Sequence, residues 1–116
     1  PSLVIAFYPG YSVHPDHEAS ARAVVRAIRR MDEADRPKLY AIAFANNTEA
    51  ELGQPDIIHD VETTIDNKLN SLRAHLSQTV WMMKETEEKL AQNDPEIHKW
   101  LHYERFYSYK WDQDFE

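Results

Sequence analysis

Apolar positions in this chain switch from a continuous run to helical spacing and back, and each switch marks an element. Leu3-Val4-Ile5-Ala6-Phe7-Tyr8 is continuous, as in a strand buried on both faces of a parallel sheet. Pro9-Gly10 ends it, and Tyr11-Ser12-Val13 leads to a helix expected over residues 16–31. Val24, Ala27, Ile28 and Met31 fall at helical spacing and form its expected buried stripe. Arg22, Arg26, Arg29 and Arg30 mark another face, which reads as solvated; Arg29 and Arg30 also complement the dipole at the helix end. Asp35-Arg36-Pro37 breaks the helix. Leu39-Tyr40-Ala41-Ile42-Ala43-Phe44 reads as a second strand, residues 46–56 as a loop punctuated by Gly53 and Pro55, and residues 57–61 as a third, shorter strand. Strand, helix, strand is a βαβ pattern, which predicts a right-handed, parallel arrangement.

Beyond the third strand the spacing is helical. Thr63 or Thr64 is placed to cap a helix whose Ile65, Leu69, Leu72 and Leu76 should face the sheet. Lys68 and His75 lie nearly on one side of it; His75 reads as a core histidine, and Ser77-Gln78 as the helix end. The helical segment 80–91 carries Trp81, Met82 and Met83 too close together for one narrow stripe. They are expected to pack into the domain or into a subunit interface, as in a homo-oligomer. Asn93-Asp94-Pro95 stops this helix and starts another, with Asp94 as cap, Pro95 at the first position, and Ile97, Trp100 and Leu101 as apolar face. His98 and His102 have ligand spacing there but no third partner nearby, so they read as surface residues. Residues 106–111 alternate aromatic and polar side chains, as in an edge strand. The class expected is α/β: strand, helix, strand, strand, helices.

Composition narrows the function classes. A length of 116 residues suits one small domain, and 42% apolar residues suffice for a core. The formal net charge of −7 argues against a nucleic-acid partner, since phosphate backbones need Lys and Arg density. No apolar run approaches the roughly 20 residues of a membrane span, and no signal peptide is visible. The absence of cysteine removes disulfides and thiolate metal sites and fits a reducing cytoplasm.

The chemistry gathers in Val13-His14-Pro15-Asp16-His17-Glu18, where a strand gives way to a helix. Pro15 biases His14 toward an extended backbone and is itself tolerated in a first helical turn. His14 should therefore sit at the cap, with Asp16, His17 and Glu18 in the first turn and both imidazoles at the open helix end. A neutral imidazole is a good zinc ligand, and a carboxylate such as that of Asp16 fixes an imidazole's tautomer. A second imidazole, when protonated, donates to an oxyanion. The competing reading is a surface histidine or a simple cap. One histidine pair does not complete a zinc site, which needs about three protein ligands plus water.

Residues 8–19, Tyr-Pro-Gly-Tyr-Ser-Val-His-Pro-Asp-His-Glu-Ala, resemble the second metal motif of the zinc-dependent N-acetylglucosamine deacetylases, the LmbE and PIG-L-like family. The Tyr-Pro-Gly-Tyr lead-in is most similar to the bacillithiol-biosynthesis branch, which deacetylates N-acetylglucosaminyl malate. Lys68, Leu72, His75, Ser77 and Gln78 match a helix end typical of the family, with Ser71 departing from its alanine, and Glu104-Arg105-Phe106 resembles its late Glu-x-aromatic element. The family's first motif, an Ala-His-Pro-Asp-Asp-Glu-type run that supplies two zinc ligands and the general base, is absent. The resemblance thus implies that residues 1–116 form a single domain, the C-terminal half of a Rossmann-like, parallel-sheet deacetylase. The N-terminal half would be a separate, cleaved or lost piece, and this chain would be inactive without it.

By the same resemblance, His17 ligates one zinc ion shared with ligands outside this chain, His14 stabilises the oxyanion, and Asp16 orients an imidazole, that of His14. The reaction implied is hydrolysis of an N-acetylated amino sugar by a metal-dependent amidohydrolase. No substrate-binding residue is assigned, although in this reading Tyr8, Tyr11 and Arg22 are candidates to touch substrate. The alternative is a non-catalytic interaction module keeping the second half of the fold, with its aromatic helices as binding surface.

Overall fold

Two parallel strands and the helix between them set the frame. In the computed structural model, which describes residues 1–111 (residues 76–79 in backbone only), β1 is Leu3–Phe7 and α1 is Pro15–Arg29. These are followed by β2 Lys38–Ile42, α2 Thr48–Leu52, β3 Ile57–Asp60, α3 Ile65–Ala74, α4 Leu76–Ala91, α5 Pro95–His102 and β4 Tyr103–Ser108. The strands form one sheet in the order β1-β2-β4-β3. β1 and β2 run parallel from Leu3↔Lys38 to Phe7↔Ile42, as the βαβ pattern predicts. β4 runs antiparallel to β2, with Tyr40 opposite Ser108 and Ala41 opposite Tyr107. The sheet is therefore mixed: β1 and β2 keep the parallel arrangement expected, and β4 departs from it. The expected edge strand over residues 106–111 is likewise corrected: it begins earlier, at Tyr103, and lies inside the sheet between β2 and β3. Alternation of aromatics gave the strand its conformation but carried no information on its neighbours.

The described chain divides into two compact units, residues 1–58 with 105–111, and residues 59–104. In the first, α1 covers one face of the sheet. Val25 and Ile28 pack with Tyr8, Leu39, Ala41, Tyr107 and Tyr109, and Val4 and Ala6 flank them. The buried helix face is Ala21, Val25 and Ile28; Val24 is half-buried and Ala27 exposed, so the stripe is rotated from the one expected. An alanine-rich helix offers two adjacent rows with helical spacing, and contact with Tyr8 and Leu39 selects between them. The strand β1 is not buried on both faces: Leu3 is 41% and Ile5 54% exposed. Among the described residues of the first unit, it is the α1 side of β1 that has a covering layer. The expected loop over residues 46–56 contains α2, started where the Thr48 hydroxyl donates to the Ala45 carbonyl and ended at Gly53, with φ 79°.

In the second unit, α5 begins as expected, with Asp94 accepting from the Glu96 N–H and Pro95 in the first turn. Leu101, Met83 and Thr86 are buried, whereas Trp81 is exposed. The helix break falls at His75, whose N–H donates to the Leu72 carbonyl, ahead of the expected Ser77-Gln78. His75 is exposed at this break, which corrects its core placement. The side chains of Leu76, Ser77 and Gln78 lie outside the described residues. Thr64 precedes α3 but makes no side-chain cap; its hydroxyl donates back to the Val61 carbonyl. Lys68 joins two stretches singled out in the sequence. Its ammonium is 2.9 Å from Glu104 Oε1, donates to the Trp100 carbonyl at 2.9 Å, and lies over the Trp100 ring.

A carboxylate fastens β4 within the first unit, where Asp56 Oδ1 accepts the Ser108 N–H at 2.8 Å. Partial burial pushes the Asp56 carboxyl up, but the Ser108 hydroxyl and N–H and the Lys110 charge outweigh it, and the group is held below its ordinary 3.8. A carboxyl lowered on folding stabilises fully above its unfolded value, and the effect is lost as pH falls through the folded one. Asp56→Ala should lower stability by about 1 kcal/mol at about pH 7, since the site is exposed. Denaturant titrations should show that gap closing below the ordinary carboxyl range. A gap that persists unchanged at about pH 2 would contradict the assignment.

Candidate functional site

The turn from β1 into α1 is closed by several short hydrogen bonds. Tyr11 N–H donates to the Tyr8 carbonyl, and the buried Ser12 hydroxyl donates to the same oxygen at 2.7 Å. Glu18, in the first turns of α1, reaches back with Oε1 to accept the N–H groups of Gly10 at 2.7 Å and Ser12 at 3.0 Å. Partial burial raises the Glu18 carboxyl, but these two N–H donors, with Arg22 and the Ser12 hydroxyl, hold it below its ordinary value. His14 N–H donates to the Ser12 carbonyl at 2.7 Å across Val13, whose φ is 66°. A β-branched residue at positive φ is a real outlier and costs about 1–3 kcal/mol. The strain sits directly before the first histidine.

His14 is the N-cap of α1, extended at φ −80° and ψ 136°, with Pro15 following, as the sequence predicts. Its own Nδ1 accepts the Asp16 N–H at 3.1 Å, so the imidazole does the work usually done by a Ser or Asp side chain. With Nδ1 an acceptor, the neutral ring carries its hydrogen on Nε2. The Asp16 carboxylate is 4.0 Å from Nδ1 and 91% exposed, too far for a hydrogen bond. It is the backbone of Asp16 that fixes the His14 ring.

His17 lies beside His14, with ring centroids 5.1 Å apart. It stacks nearly flat on Phe7, at 4.2 Å and 10°, and Phe44 stands 6.0 Å away. Phe7 and Phe44 thus form an aromatic wall that holds the His17 plane. Among the described residues, no hydrogen bond engages the His17 ring nitrogens. Its neutral ring therefore offers a lone pair, which suits a divalent ion. The donor set is partial, for no cluster of three or more His, Cys, Asp or Glu side chains able to hold a metal exists among the described residues.

The three residues of the expected site, His14, Asp16 and His17, do share one end of the sheet. Of the others considered, Tyr8 is 1% exposed and belongs to the core. Arg22 is occupied by Glu18, at 3.4 Å. Tyr11 is half-buried, and its hydroxyl is held protonated more strongly than usual by burial and by Glu51. His98 and His102 belong to the second unit, with rings 5.5 Å apart. Three contributors escaped the sequence reading. Glu18 was legible as a carboxylate in a first turn, but not as a clasp on the preceding loop. Ser12 and the wall residue Phe44 gave no signal, since neither periodicity nor motif marks them.

No protein-family model matches the chain, and no solved structure matches it. Curated relatives do. Proteins named "Probable N-acetyl-alpha-D-glucosaminyl L-malate deacetylase 2" are 46% identical over 112 residues in Bacillus cereus and 44% over 111 in Bacillus subtilis. The matches cover 97% and 96% of this chain and 51% and 50% of those proteins. A protein of the same name in Bacillus anthracis is 45% identical over 109 residues, 94% of this chain and 48% of its own length. The chain spans about half the length of the curated relatives it matches. The resemblance to the branch acting on N-acetylglucosaminyl malate is borne out by these names.

The Glu18 clasp is open to test. Glu18→Ala should cost about 1–2 kcal/mol, because it leaves a part-buried N–H without an acceptor. Amide hydrogen exchange should quicken at Gly10 and Ser12 while residues in the last turns of α1 keep their protection. Unchanged exchange at both positions would show that the turn holds itself.

Proposed function

We propose that this chain, a homologue of the N-acetylglucosaminyl malate deacetylases, carries part of the centre of a zinc-dependent deacetylase that hydrolyses the N-acetyl group of an N-acetylglucosaminyl compound. The observation that carries this reading is the pairing of a ring with both nitrogens unengaged, His17, beside a ring with a fixed tautomer, His14, in a chain with these relatives. A zinc ion held by His17 and by ligands from a complementary N-terminal half would supply a water of lowered pKa.

The chain's own residues then have distinct tasks. Phe7 and Phe44 fix the plane of His17 and exclude water from one side of it. The Asp16 N–H holds His14 with Nε2–H outward, where it donates to the oxygen of the acetamide carbonyl as negative charge develops there. The neutral ring suffices for this donation, so the protonated imidazole expected from sequence is not required. Acetate and a free amino sugar are the products. N-acetylglucosaminyl malate in bacillithiol biosynthesis, in the cytoplasm, is the setting this reading adopts. No helix among the described residues is long and apolar enough to cross a membrane.

The uncovered face of the sheet supports a complementary half. Leu3, Ile5 and Phe7 alternate on β1, and the register with β2 puts Tyr40 and Ile42 beside them. Ile5 and Phe44 are each more than half exposed. β1 also ends the sheet, with β2 as its neighbour among the described strands. An apolar face on an unpaired edge strand is what a missing layer and strand would cover.

Two experiments test these assignments. In the complete protein, His17→Ala should lower metal content and, with it, activity. His14→Ala should leave metal content nearly unchanged and lower kcat by about 10²–10³. Loss of zinc in His14→Ala with retention in His17→Ala would reverse the roles, and a protein that binds no zinc would favour the non-catalytic module. Second, Ile5→Lys should change the stability of this chain alone by no more than about 0.5 kcal/mol, as for an exposed position. In the complete protein the same change should cost about 2 kcal/mol or more, because it buries a charge. Equal, small effects in both would mean that the face stays open.

A further inference from the structure

One cavity at the same end of the sheet has no part in the chemistry above. It has a volume of about 320 Å³ and is lined by Asn46, Thr48, Glu49, Pro55, Arg105 and Tyr107. Continuing the pairing of Tyr40 with Ser108 and Ala41 with Tyr107 places Arg105 opposite Ala43. β2 is parallel to β1, so Ala43 lies past the same end of the sheet that leads to His14 and His17. The Tyr11 carbonyl accepts the N–H groups of Phe44 and Ala45 at 2.7 and 3.0 Å, which ties the histidine loop to the backbone beside the cavity. Phe44, whose ring faces His17, is the residue between Ala43 and Ala45 of the cavity wall.

The polar groups of this cavity are unequally used. The Thr48 hydroxyl donates to Ala45, and the Tyr107 hydroxyl donates to the Gly53 carbonyl at 2.8 Å. Arg105 is half-buried as a residue, and its guanidinium, among the described residues, makes no hydrogen bond or ion pair. Glu49 shares the cavity but is exposed at its rim and forms no ion pair with Arg105. A guanidinium is matched best by a carboxylate held through two parallel hydrogen bonds.

We infer that this cavity is a carboxylate subsite: Arg105 binds an acid group on the non-sugar end of the substrate while the acetamide lies at His14 and His17. The inference rests on the deacetylase reading for the position of the acetamide, but the subsite itself can be measured without turnover. Asn46, with its amide unengaged among the described residues, is placed to donate to the same group. Glu49 at the rim opposes a second negative charge, so its removal should tighten binding of an acid.

The test uses the complete protein with two acetamides, N-acetylglucosaminyl malate and the uncharged methyl glycoside of N-acetylglucosamine. Arg105→Gln should raise KM for the malate compound about 10- to 100-fold more than for the methyl glycoside, as expected for loss of a charged hydrogen-bonded pair. Arg105→Lys should recover part of that difference, and Glu49→Gln should lower KM for the malate compound. Equal changes for both substrates would reduce Arg105 to a structural residue and overturn the inference. Weaker binding of the acid in Glu49→Gln would overturn it too, by assigning the cavity to sugar hydroxyls. Calorimetric titration with L-malate separates this inference from the deacetylase reading. Arg105-dependent malate binding in a protein that hydrolyses neither acetamide sinks only the deacetylase reading. Malate binding indifferent to Arg105 in an active enzyme sinks only the subsite.

Discussion

The grip of the Glu18 carboxylate on the N–H groups of Gly10 and Ser12 is the constraint on which the candidate site depends. It ties the start of α1 to the loop that follows β1. The loop it holds contains Val13 at positive φ, a conformation that would relax if the ends were free. That strained residue aims His14 so that its ring folds back over the helix end and accepts the Asp16 N–H. The tautomer of His14 and the placement of its outward Nε2–H therefore follow from a backbone arrangement, with Glu18 as its fastening.

A second layer of control is apolar. His17, in the first turn of α1, stacks flat on Phe7. Phe7 is the last residue of β1, and its register partner Ile42 is the last of β2. The parallel pairing of two strands thus sets where the imidazole plane lies. The same pairing leaves Leu3 and Ile5 uncovered on the face opposite α1. Among the described residues, a partial donor set and an exposed apolar face thus occur in the same unit.

Much of this was legible in the sequence, for identifiable reasons. The run from Leu3 to Tyr8, the break at Pro9-Gly10 and the His14-Pro15 pair are local signals, and local signals located β1, the cap and α1. The Asp94-Pro95 start of α5 was legible in the same way. What failed was non-local. The place of β4 inside the sheet, antiparallel to β2, depends on pairings that alternation cannot encode. The rotation of the buried face of α1 toward Ala21 and Val25 depends on which rows meet Tyr8 and Leu39. The distance of the Asp16 carboxylate from His14 depends on a side-chain direction that spacing alone left open. Within the site, residue types and order were readable; which atom of Asp16 holds the ring was not.

The most direct test of a shared zinc centre built on His17 is an anomalous difference map, recorded at the zinc edge from crystals of the complete protein. A single peak about 2.0–2.1 Å from a His17 ring nitrogen, with His14 outside bonding distance, is the result expected. A peak bonded to His14 instead, a peak between His98 and His102, or no peak at either pair in a protein that hydrolyses the acetamide would contradict it.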